Sequence, residues 1–504
     1  MNQKINSYKS NLDRPVFITS IVVLMIFSIP LFLFPDWSSS QLATFKKYID
    51  AHFGIAYQWL AIIVLIISIW IAFSKYGKIT MGKSSPIFST YSWASMIFCA
   101  GVATGILYWG CIEWAFYKNT PPFEVAPHSV EAMEWAATYG MFHWGPAGWS
   151  FYVFPSLAIG YAYYNLNMNS MRLSVACSGV LGKQTNGFLG KLIDVLFIIG
   201  LLGSSGTSLG LGTPMIAAVV NDIFGIGTSF GVKLGIITIC SGIFATSVYL
   251  GLNKGIKRLS NFNTFLAFLF LGFILLAGPT IFILKMFTNS LGLMTDNFIR
   301  MITWTDPINN TGFIEDWSIF YWSWWTAVGP FMGIFIAKIS QGRSFKEIIL
   351  GTIFFGAAGC SLFYGIFGNF ALYQEISEVV ISTDLVKNGE APKAISVIIK
   401  SLPLGNFVLI FFAIMSVVFM ATSFDSTSYV LATGSTANLG KEEEPMLWLR
   451  LFWAFILVVL PVGLMLIGGL EALKTTVLIS ALPLIIVYIL MIISLLKWMK
   501  KHEF

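Results

Sequence analysis

The chain has 504 residues, of which 56% are hydrophobic and 11% are charged. Soluble domains carry about 25% charged residues, so this composition excludes a series of soluble domains and indicates an integral membrane protein. The net charge of +6 is modest, and it gives no reason to expect a nucleic-acid partner.

Apolar runs of about 20 residues recur along the whole chain, and each is long enough to cross a lipid bilayer as a helix. The predicted fold class is therefore all-α integral membrane, with no room for a soluble domain between the spans. We predict twelve transmembrane helices, near residues 15–34, 53–74, 91–117, 138–165, 189–220, 231–250, 262–287, 317–338, 347–374, 403–435, 447–468 and 473–496.

Basic residues concentrate on one side of this predicted topology. With an even number of spans both termini lie on the same side, and roughly two thirds of the 30 lysines and arginines fall in or beside the segments of that side. The positive-inside rule then places both termini in the cytoplasm. We expect a multi-pass protein of the plasma membrane, which is the inner membrane in a bacterial cell.

Two predicted spans contain helix-breaking residues. The third carries FCAGVATG, with Gly101 and Gly105 four residues apart, and the eighth carries GPFMG, with Gly329, Pro330 and Gly333. Proline removes a backbone donor and glycine permits unwound backbone, which is tolerated at membrane depth where it is buried or lines a cavity. Close packing of helices on small residues is the alternative explanation for these glycines.

The two breaks lie five spans apart. Without the first two spans the other ten divide into five plus five, and each half opens with a broken helix, as in an inverted-repeat transporter. We therefore assign residues 1–90 to the N-terminal tail and two peripheral helices, 91–290 to the first five-helix repeat, and 291–500 to the second. The second repeat begins with an extracellular connecting segment, 291–316.

Aromatic residues cluster beside these breaks. The stretch DWSIFYWSWW, residues 316–325, holds six aromatic residues of which four are tryptophan, and FHWGPAGWSFY in the fourth span surrounds another Gly-Pro pair. Aromatic belts at the membrane interface explain other tryptophans of the chain better than these. The rings nearest the breaks are Trp144, Trp149, Tyr152, Trp324 and Trp325.

Faces of aromatic rings attract quaternary ammonium groups, and a cage of rings does so without a carboxylate. Acids within the predicted spans are few, namely Glu113, Asp194 and Asp425. A betaine, which is cationic at one end and neutral overall, fits such a site. Its carboxylate would meet free backbone N–H groups of the unwound GVATG segment.

These motifs resemble the betaine/carnitine/choline transporter family. DWSIFYWSWW is similar to the family's tryptophan signature, with Ser318 in place of the usual Thr, and AKISQGRSFKE, FHWG, SWASMIF and TSFDSTS are also similar to family segments. The resemblance covers essentially the whole chain. It implies two peripheral helices plus a five-plus-five inverted repeat, a homotrimer, and a coupling ion with no other cofactor.

The resemblance also implies the residues of the substrate site. The usual aromatic three positions beyond Trp325 is Val328 here, so the box is open on one side, and the third-span motif ends in Gly105 where some choline carriers have Asp. This favours a zwitterion over choline, while WGCIEWAFYKNTPPF is most similar to carnitine carriers. The implied substrate-binding residues are Trp144, Trp149, Tyr152, Trp324, Trp325, Gly101, Ala103, Gly105 and Phe116.

The resemblance implies a sodium site made by the side chains of Thr422 and Ser423 and completed by the backbone of Cys99, Val102 and Phe419. Hard oxygen ligands of this kind suit a small hard cation. The alternative is that these hydroxyls bond their own i−4 carbonyls, as Ser and Thr commonly do in membrane helices. Residues proposed for a second ion site are Ser205, Thr207, Ser208 and Phe331.

Other residues point away from sodium. Sodium-independent carnitine exchangers of the family have Met at the position of Met332 and a basic residue at the position of Lys257. Asp425 is an acid within a span, which is functional by default, and it would support the sodium site or pair with Lys254 or Lys257.

The sequence therefore predicts a sodium symporter for a zwitterionic quaternary-ammonium compound. The alternatives are a sodium-independent exchanger of carnitine or butyrobetaine, and choline uptake. A membrane enzyme or receptor is a third class, and an enzyme would need clustered acids, histidines or a cofactor motif at membrane depth, which the sequence does not offer.

Overall fold

The computed structural model describes residues 12–100, 104–250, 257–437, 439, 443–467 and 469–502, with side chains for all of these except 248, 250 and 257–261. Over these residues the chain is helical and contains no β-strand. Two isolated bridges join Leu12 to Thr436 and Thr80 to Ser344.

The described residues form twenty α-helices and several short 3₁₀ and π segments. Three π segments, at Tyr161–Asn165, Ile314–Ile319 and Phe363–Gly368, adjoin longer helices. The α-helices are α1 (Arg14–Leu33), α2 (Pro35–Phe73), α3 (Thr90–Ala100), α4 (Thr104–Asn119), α5 (Val130–His143), α6 (Pro146–Gly160), α7 (Leu173–Ala176), α8 (Ser178–Leu181), α9 (Phe188–Phe224), α10 (Phe230–Leu250), α11 (Lys257–Ala277), α12 (Thr280–Thr303), α13 (Phe320–Ile339), α14 (Phe345–Leu362), α15 (Asn369–Ile376), α16 (Ser382–Lys387), α17 (Ala391–Lys400), α18 (Gly405–Gly434), α19 (Leu447–Ile467) and α20 (Leu470–Lys500).

Within the described part of the chain, nine helical stretches are long and apolar enough to cross a membrane, or eleven if each of two bent pairs is one span. The prediction of a multi-pass, all-helical membrane protein is confirmed at this level. The predicted span at 138–165 is not one helix, because the chain breaks after His143 and a new helix begins at Pro146. The count of twelve spans and the five-plus-five repeat stay predictions.

The bent pairs bear on two predicted spans. α3 and α4 meet at an angle of 60°, at the predicted break of the third span, and the residues between them lie outside the described residues. α11 and α12 meet at 111°, so the predicted span at 262–287 is wrong as one straight helix. Pro279 explains this bend, because proline lacks a backbone N–H and disfavours helical geometry in the residue before it.

The predicted break in the eighth span is wrong, since α13 continues without interruption through Pro330. A membrane helix tolerates proline where neighbouring helices and Ser or Thr side chains support the backbone. The glycines of GPFMG serve close packing instead. A Cβ at Gly329 would collide with the hydroxyl of Tyr488, and one at Gly333 with Pro155 of α6.

This close packing positions the rest of the core. α13 lies along α6 and also contacts α20, while α4 packs against α5 and against the π segment Phe363–Gly368. α9 packs against α18 and α20 and touches α4 and α13. The buried aromatic residues of α4, α6 and α13 therefore meet in one place.

Candidate substrate site

The break between α5 and α6 creates the first element of the site. α5 ends at His143, Gly145 is the N-cap of α6, and Pro146 occupies the first turn of α6, where its missing N–H is not needed. The carbonyl of His143 therefore lies at a helix end, where it needs a partner other than the next turn. It accepts a hydrogen bond of 3.0 Å from Nε1 of Trp325 on α13.

Five predicted residues come together at this break, and we call them the ring cluster: Trp144, Trp149, Tyr152, Trp324 and Trp325. Trp325 is central, with ring centroids 5.8 Å from Trp144, 6.0 Å from Trp149 and 4.9 Å from Tyr152. Trp324 lies 5.4 Å from Trp144 and 5.2 Å from Trp325. Trp149 and Trp325 are each 1% exposed and Tyr152 is 4% exposed.

Two glycines make room for these rings. A Cβ at Gly148 would lie 2.5 Å from Cε2 of Trp325, and a Cβ at Gly356 on α14 would overlap the ring of Trp149. Small residues at such positions let helices approach closely in a membrane. The positions of Trp149 and Trp325 therefore depend on residues that carry no chemistry of their own.

The rings contact one another directly. A quaternary ammonium group binds within about 6 Å of a ring centroid, and it must stand between faces rather than beside touching rings. The observed separations of 4.9–6.0 Å around Trp325 are those of ring-to-ring contact. Entry of a trimethylammonium group into the ring cluster therefore requires these rings to separate.

A small cavity adjoins the ring cluster. Its walls include Gly105, which the sequence predicted, and the hydroxyl-bearing Thr207 and Ser208, which were predicted for a second ion site. No charged side chain is among its lining residues, which are Gly105, Trp109, Trp144, Thr207, Ser208, Leu211, Phe320, Tyr321 and Trp324. The structure thus brings the second group of predicted hydroxyls next to the aromatic site.

Other predicted substrate residues lie elsewhere. Gly101 and Ala103 are outside the described residues. Phe116 lies in a separate aromatic group on α4, with ring centroids 6.0 Å from Trp109 and 5.2 Å from Trp317. Phe116 is not among the described residues that line the cavity, whereas its neighbour Trp109 is a wall residue that the sequence analysis missed.

A polar cluster behind the cavity was also missed. Glu113 is fully buried and accepts hydrogen bonds from the hydroxyls of Tyr117, Tyr321 and Tyr364, with 2.6 Å between the Tyr321 oxygen and Oε2 of Glu113. His143 hydrogen-bonds the hydroxyl of Tyr117 through Nδ1 at 2.9 Å. An acid inside a predicted span was the available signal for this cluster, whereas Tyr321 and Tyr364 lie on other segments of the chain.

The proposed sodium-binding side chains are arranged on α18. The hydroxyl of Thr422 donates to the carbonyl of Val418 at 2.7 Å, and that of Ser423 donates to the carbonyl of Phe419 at 3.0 Å. This is the i−4 geometry of the alternative explanation. Each oxygen retains lone pairs, so the bonds are compatible with ion binding without indicating it.

The remaining ion-site and coupling residues give a mixed result. Cys99 hydrogen-bonds Thr264 of α11, and Val102 is outside the described residues. Ser205 and Phe331 are half-buried and Met332 is buried.

Asp425 is buried and accepts a hydrogen bond from the hydroxyl of Ser247 on α10. Its predicted pairing with Lys254 or Lys257 falls on a residue and a side chain outside those described.

Comparison with known proteins identifies the family. Residues 15–504 match the family model described as "BCCT, betaine/carnitine/choline family transporter". The chain belongs to the betaine/carnitine/choline transporter family. Its relatives include an Escherichia coli (strain K12) protein named "Uncharacterized transporter YeaV", 33% identical over 88% of this chain and 92% of that protein.

A second relative in the betaine/carnitine/choline group is an Acinetobacter baumannii protein named "Carnitine transporter". It is 31% identical over 97% of this chain and 89% of that protein. A solved structure of a sodium-coupled sialic acid symporter covers 76% of this chain and 80% of its own, with 12% identity and a TM-score of 0.36. That likeness is too weak to add to the account of the fold.

Proposed function

We propose that this family member imports a zwitterionic quaternary-ammonium compound by sodium symport with alternating access. The ring cluster is the observation that carries the proposal. Rings from α6 and α13 meet Trp144 at the break between α5 and α6, with no charged side chain in the adjoining cavity wall. Ring faces attract a trimethylammonium group, and an uncharged lining suits a substrate with no net charge.

The carboxylate end of the substrate has a candidate partner at the start of α4. Thr104 begins this helix, is fully buried, and its hydroxyl has no hydrogen-bond partner among the described residues. Helix N-termini present free N–H groups and a partial positive charge, which favour anions. Gly105, the next residue, lines the cavity and lies against Trp144. A betaine or carnitine carboxylate would bind here.

Sodium coupling is supported by hydroxyl groups in two places. Thr207 and Ser208 face the cavity from α9, while Thr422 and Ser423 lie on α18. Sodium bound between α3 and α18 would order the chain at the start of α4 and so raise substrate affinity, which is a coupling free energy between two sites. Rocking of one helix bundle against the rest would then expose the site to each side in turn.

The finer features of the predicted assembly belong to the same proposal. We propose twelve spans in a five-plus-five repeat, with both termini in the cytoplasm and residence in a bacterial inner membrane. The family resemblance suggests a homotrimer. The charge distribution of the sequence supports the orientation.

A sodium-independent exchanger of carnitine-like compounds is the second candidate. Met332 matches the residue of such exchangers, and one relative is named a carnitine transporter. The family resemblance implies that those exchangers lack the hydroxyls of Thr422 and Ser423. The presence of these hydroxyls here favours sodium symport over exchange.

Uptake into proteoliposomes separates the two candidates. Purified protein is reconstituted, and uptake of radiolabelled carnitine and glycine betaine is measured with an inward sodium gradient and with potassium substituted. Accumulation that collapses without sodium supports the symporter. Uptake that is equal in both salts and requires substrate preloaded inside would establish the exchanger, and no uptake of either compound would refute the proposed substrate class.

A further inference from the structure

Glu113 lies near the middle of α4, in a segment predicted to span the membrane, and its side chain is fully buried. Ionisable residues at membrane depth are unfavourable unless they are partnered, and they mark functional sites. Among the described residues, no lysine or arginine forms an ion pair with it, and Nδ1 of His143 lies 3.9 Å from its Oε1. The carboxyl group is therefore without a full counter-charge in this part of the chain.

Three tyrosines direct their hydroxyls at this carboxyl group, from three different segments. Tyr117 belongs to α4, Tyr321 to α13 and Tyr364 to the π segment Phe363–Gly368. An ionised carboxylate only accepts hydrogen bonds, whereas a protonated one must also donate one. Three phenol donors on two oxygens can satisfy a carboxylate through charge-assisted bonds.

The same tyrosines connect the carboxylate to the proposed substrate site. Tyr321 lines the cavity, and its ring centroid lies 5.9 Å from that of Trp144. The ring of Tyr364 lies 6.2 Å from Trp144. Glu113 is therefore separated from the ring cluster by one layer of side chains, at a depth where charges are weakly screened.

Glu113 lies C-terminal to Thr104 on the helix that borders the cavity. Both residues are on α4, nine positions apart, which is about 13 Å along a helix. The N-terminus of α4 carries partial positive charge, and Glu113 carries negative charge farther along. A zwitterion lying beside α4 meets a field that pulls its carboxylate toward Thr104 and its ammonium group toward Glu113.

We propose that Glu113 is a specificity-determining residue that selects a positive charge at the ring cluster and orients the zwitterion along α4. It acts by the electrostatic field of its charge across the layer formed by Tyr321 and Tyr364, which it also positions, and it does not touch the substrate. The inference rests on the proposed function, because it takes the ring cluster as the site of the ammonium group. The rings alone could bind a cation without an acid nearby. Glu113 would add a selection for positive charge to that binding.

The test compares a cation with an uncharged molecule of the same shape. Choline and its carbon isostere 3,3-dimethyl-1-butanol are titrated as competitors of radiolabelled carnitine binding to the purified protein. In Glu113→Gln the side chain keeps its size and an acceptor for Tyr321 but loses its charge. We expect the preference for choline over the isostere to fall about tenfold, which corresponds to about 1.4 kcal/mol.

Two further variants separate charge from shape. Tyr321→Phe removes a hydrogen bond but keeps the carboxylate, so it is expected to weaken both competitors equally and preserve their ratio. Tyr57→Phe is the matched control, because Tyr57 is equally buried and loses a hydrogen bond to the carbonyl of Leu478, far from the cluster. Glu113→Met, which is also uncharged, gives a second measurement if Glu113→Gln does not fold.

An equal shift of both competitors in the uncharged variants would overturn charge selection by Glu113. So would an unchanged ratio in either folded variant. Failure of both carnitine and glycine betaine to bind the wild-type protein would instead refute the proposed function, and this inference with it. The wild-type titration therefore distinguishes the two failures.

Discussion

The ring cluster and the hydroxyl pair of α18 show two different ways in which this chain presents a candidate site. At the ring cluster, side chains from α6 and α13 contact one another around Trp325, whose indole N–H is bonded to a carbonyl outside its own helix. On α18, Thr422 and Ser423 bond carbonyls of their own helix one turn back. The first arrangement exists only because of tertiary packing, whereas the second would occur in any isolated helix.

The two sites therefore differ in how strongly their geometry alone supports a binding function. The geometry of the ring cluster is itself an argument for binding a cation, because five aromatic rings meet there and offer their faces once they separate. The hydroxyls gain their meaning from family resemblance, since i−4 bonding is the common behaviour of Ser and Thr in membrane helices. Substitutions at the two sites should therefore have effects of different size. Those at the ring cluster should change substrate affinity, and those on α18 should change sodium dependence.

The largest effect is expected for Trp325→Ala. Trp325 contacts all four other rings of the cluster, so its removal takes away a cation–π partner and the packing that holds the others. We expect carnitine affinity to fall about 100-fold, measured by equilibrium binding to purified protein. Trp37→Ala, at a ring that is 57% exposed at the start of α2, is the control and should bind normally. Normal binding by Trp325→Ala would show that the ring cluster is not the substrate site.

Gly356→Ala tests whether close packing around Trp149 supports substrate binding. The added methyl group overlaps the ring of Trp149 and must displace it, although residue 356 itself touches no substrate. We expect about a tenfold loss of affinity, in line with the displacement of one of several rings. Gly272→Ala on α11 meets no atom within 4 Å and serves as the matched control. Equal carnitine affinities in the two variants would show that the position of Trp149 does not matter for substrate binding.

Much of the ring cluster could be predicted from the sequence, because its residues lie in two short motifs beside Gly-Pro pairs. The cluster around Glu113 could not, since Tyr321 and Tyr364 are 208 and 251 positions from it in the chain. Only the acid itself, inside a predicted span, was visible.

Local composition also misled the fold prediction in two places. The Gly-Pro pair at Gly329 and Pro330 lies within a continuous helix, whereas the pair at Gly278 and Pro279 separates two helices. The dipeptide is the same in both. The surroundings of the two pairs differ, because α13 packs closely against α6 and α20. This tertiary packing cannot be predicted from the dipeptide itself.

A smaller effect is expected for Thr422→Ala, and on a different quantity. If the hydroxyl binds sodium, its loss removes one neutral oxygen ligand, and the sodium concentration for half-maximal uptake should rise about fivefold. Thr433→Ala, which breaks the same i−4 bond on the same helix, is the control and should leave sodium dependence unchanged. A sodium dependence that is the same in both variants would assign Thr422 to helix structure only.

The smallest effect is expected for Ser208→Ala. Ser208 lines the cavity beside the ring cluster, so its hydroxyl is placed to assist a second ion or the substrate. We expect about a twofold change in the sodium concentration for half-maximal uptake. Ser204→Ala, whose hydroxyl bonds the carbonyl of Leu201 on the same helix, should show none. The same sodium dependence in Ser208→Ala and Ser204→Ala would contradict a second ion site at Ser208.

The central claim is that a quaternary ammonium group binds among the rings of the cluster, and a cryo-electron microscopy structure with carnitine and sodium tests it most directly. The account predicts density for the trimethylammonium group between the faces of Trp149 and Trp325, with their centroids moved apart from the present 6.0 Å. Substrate density outside the cluster, with that separation unchanged, would contradict the account.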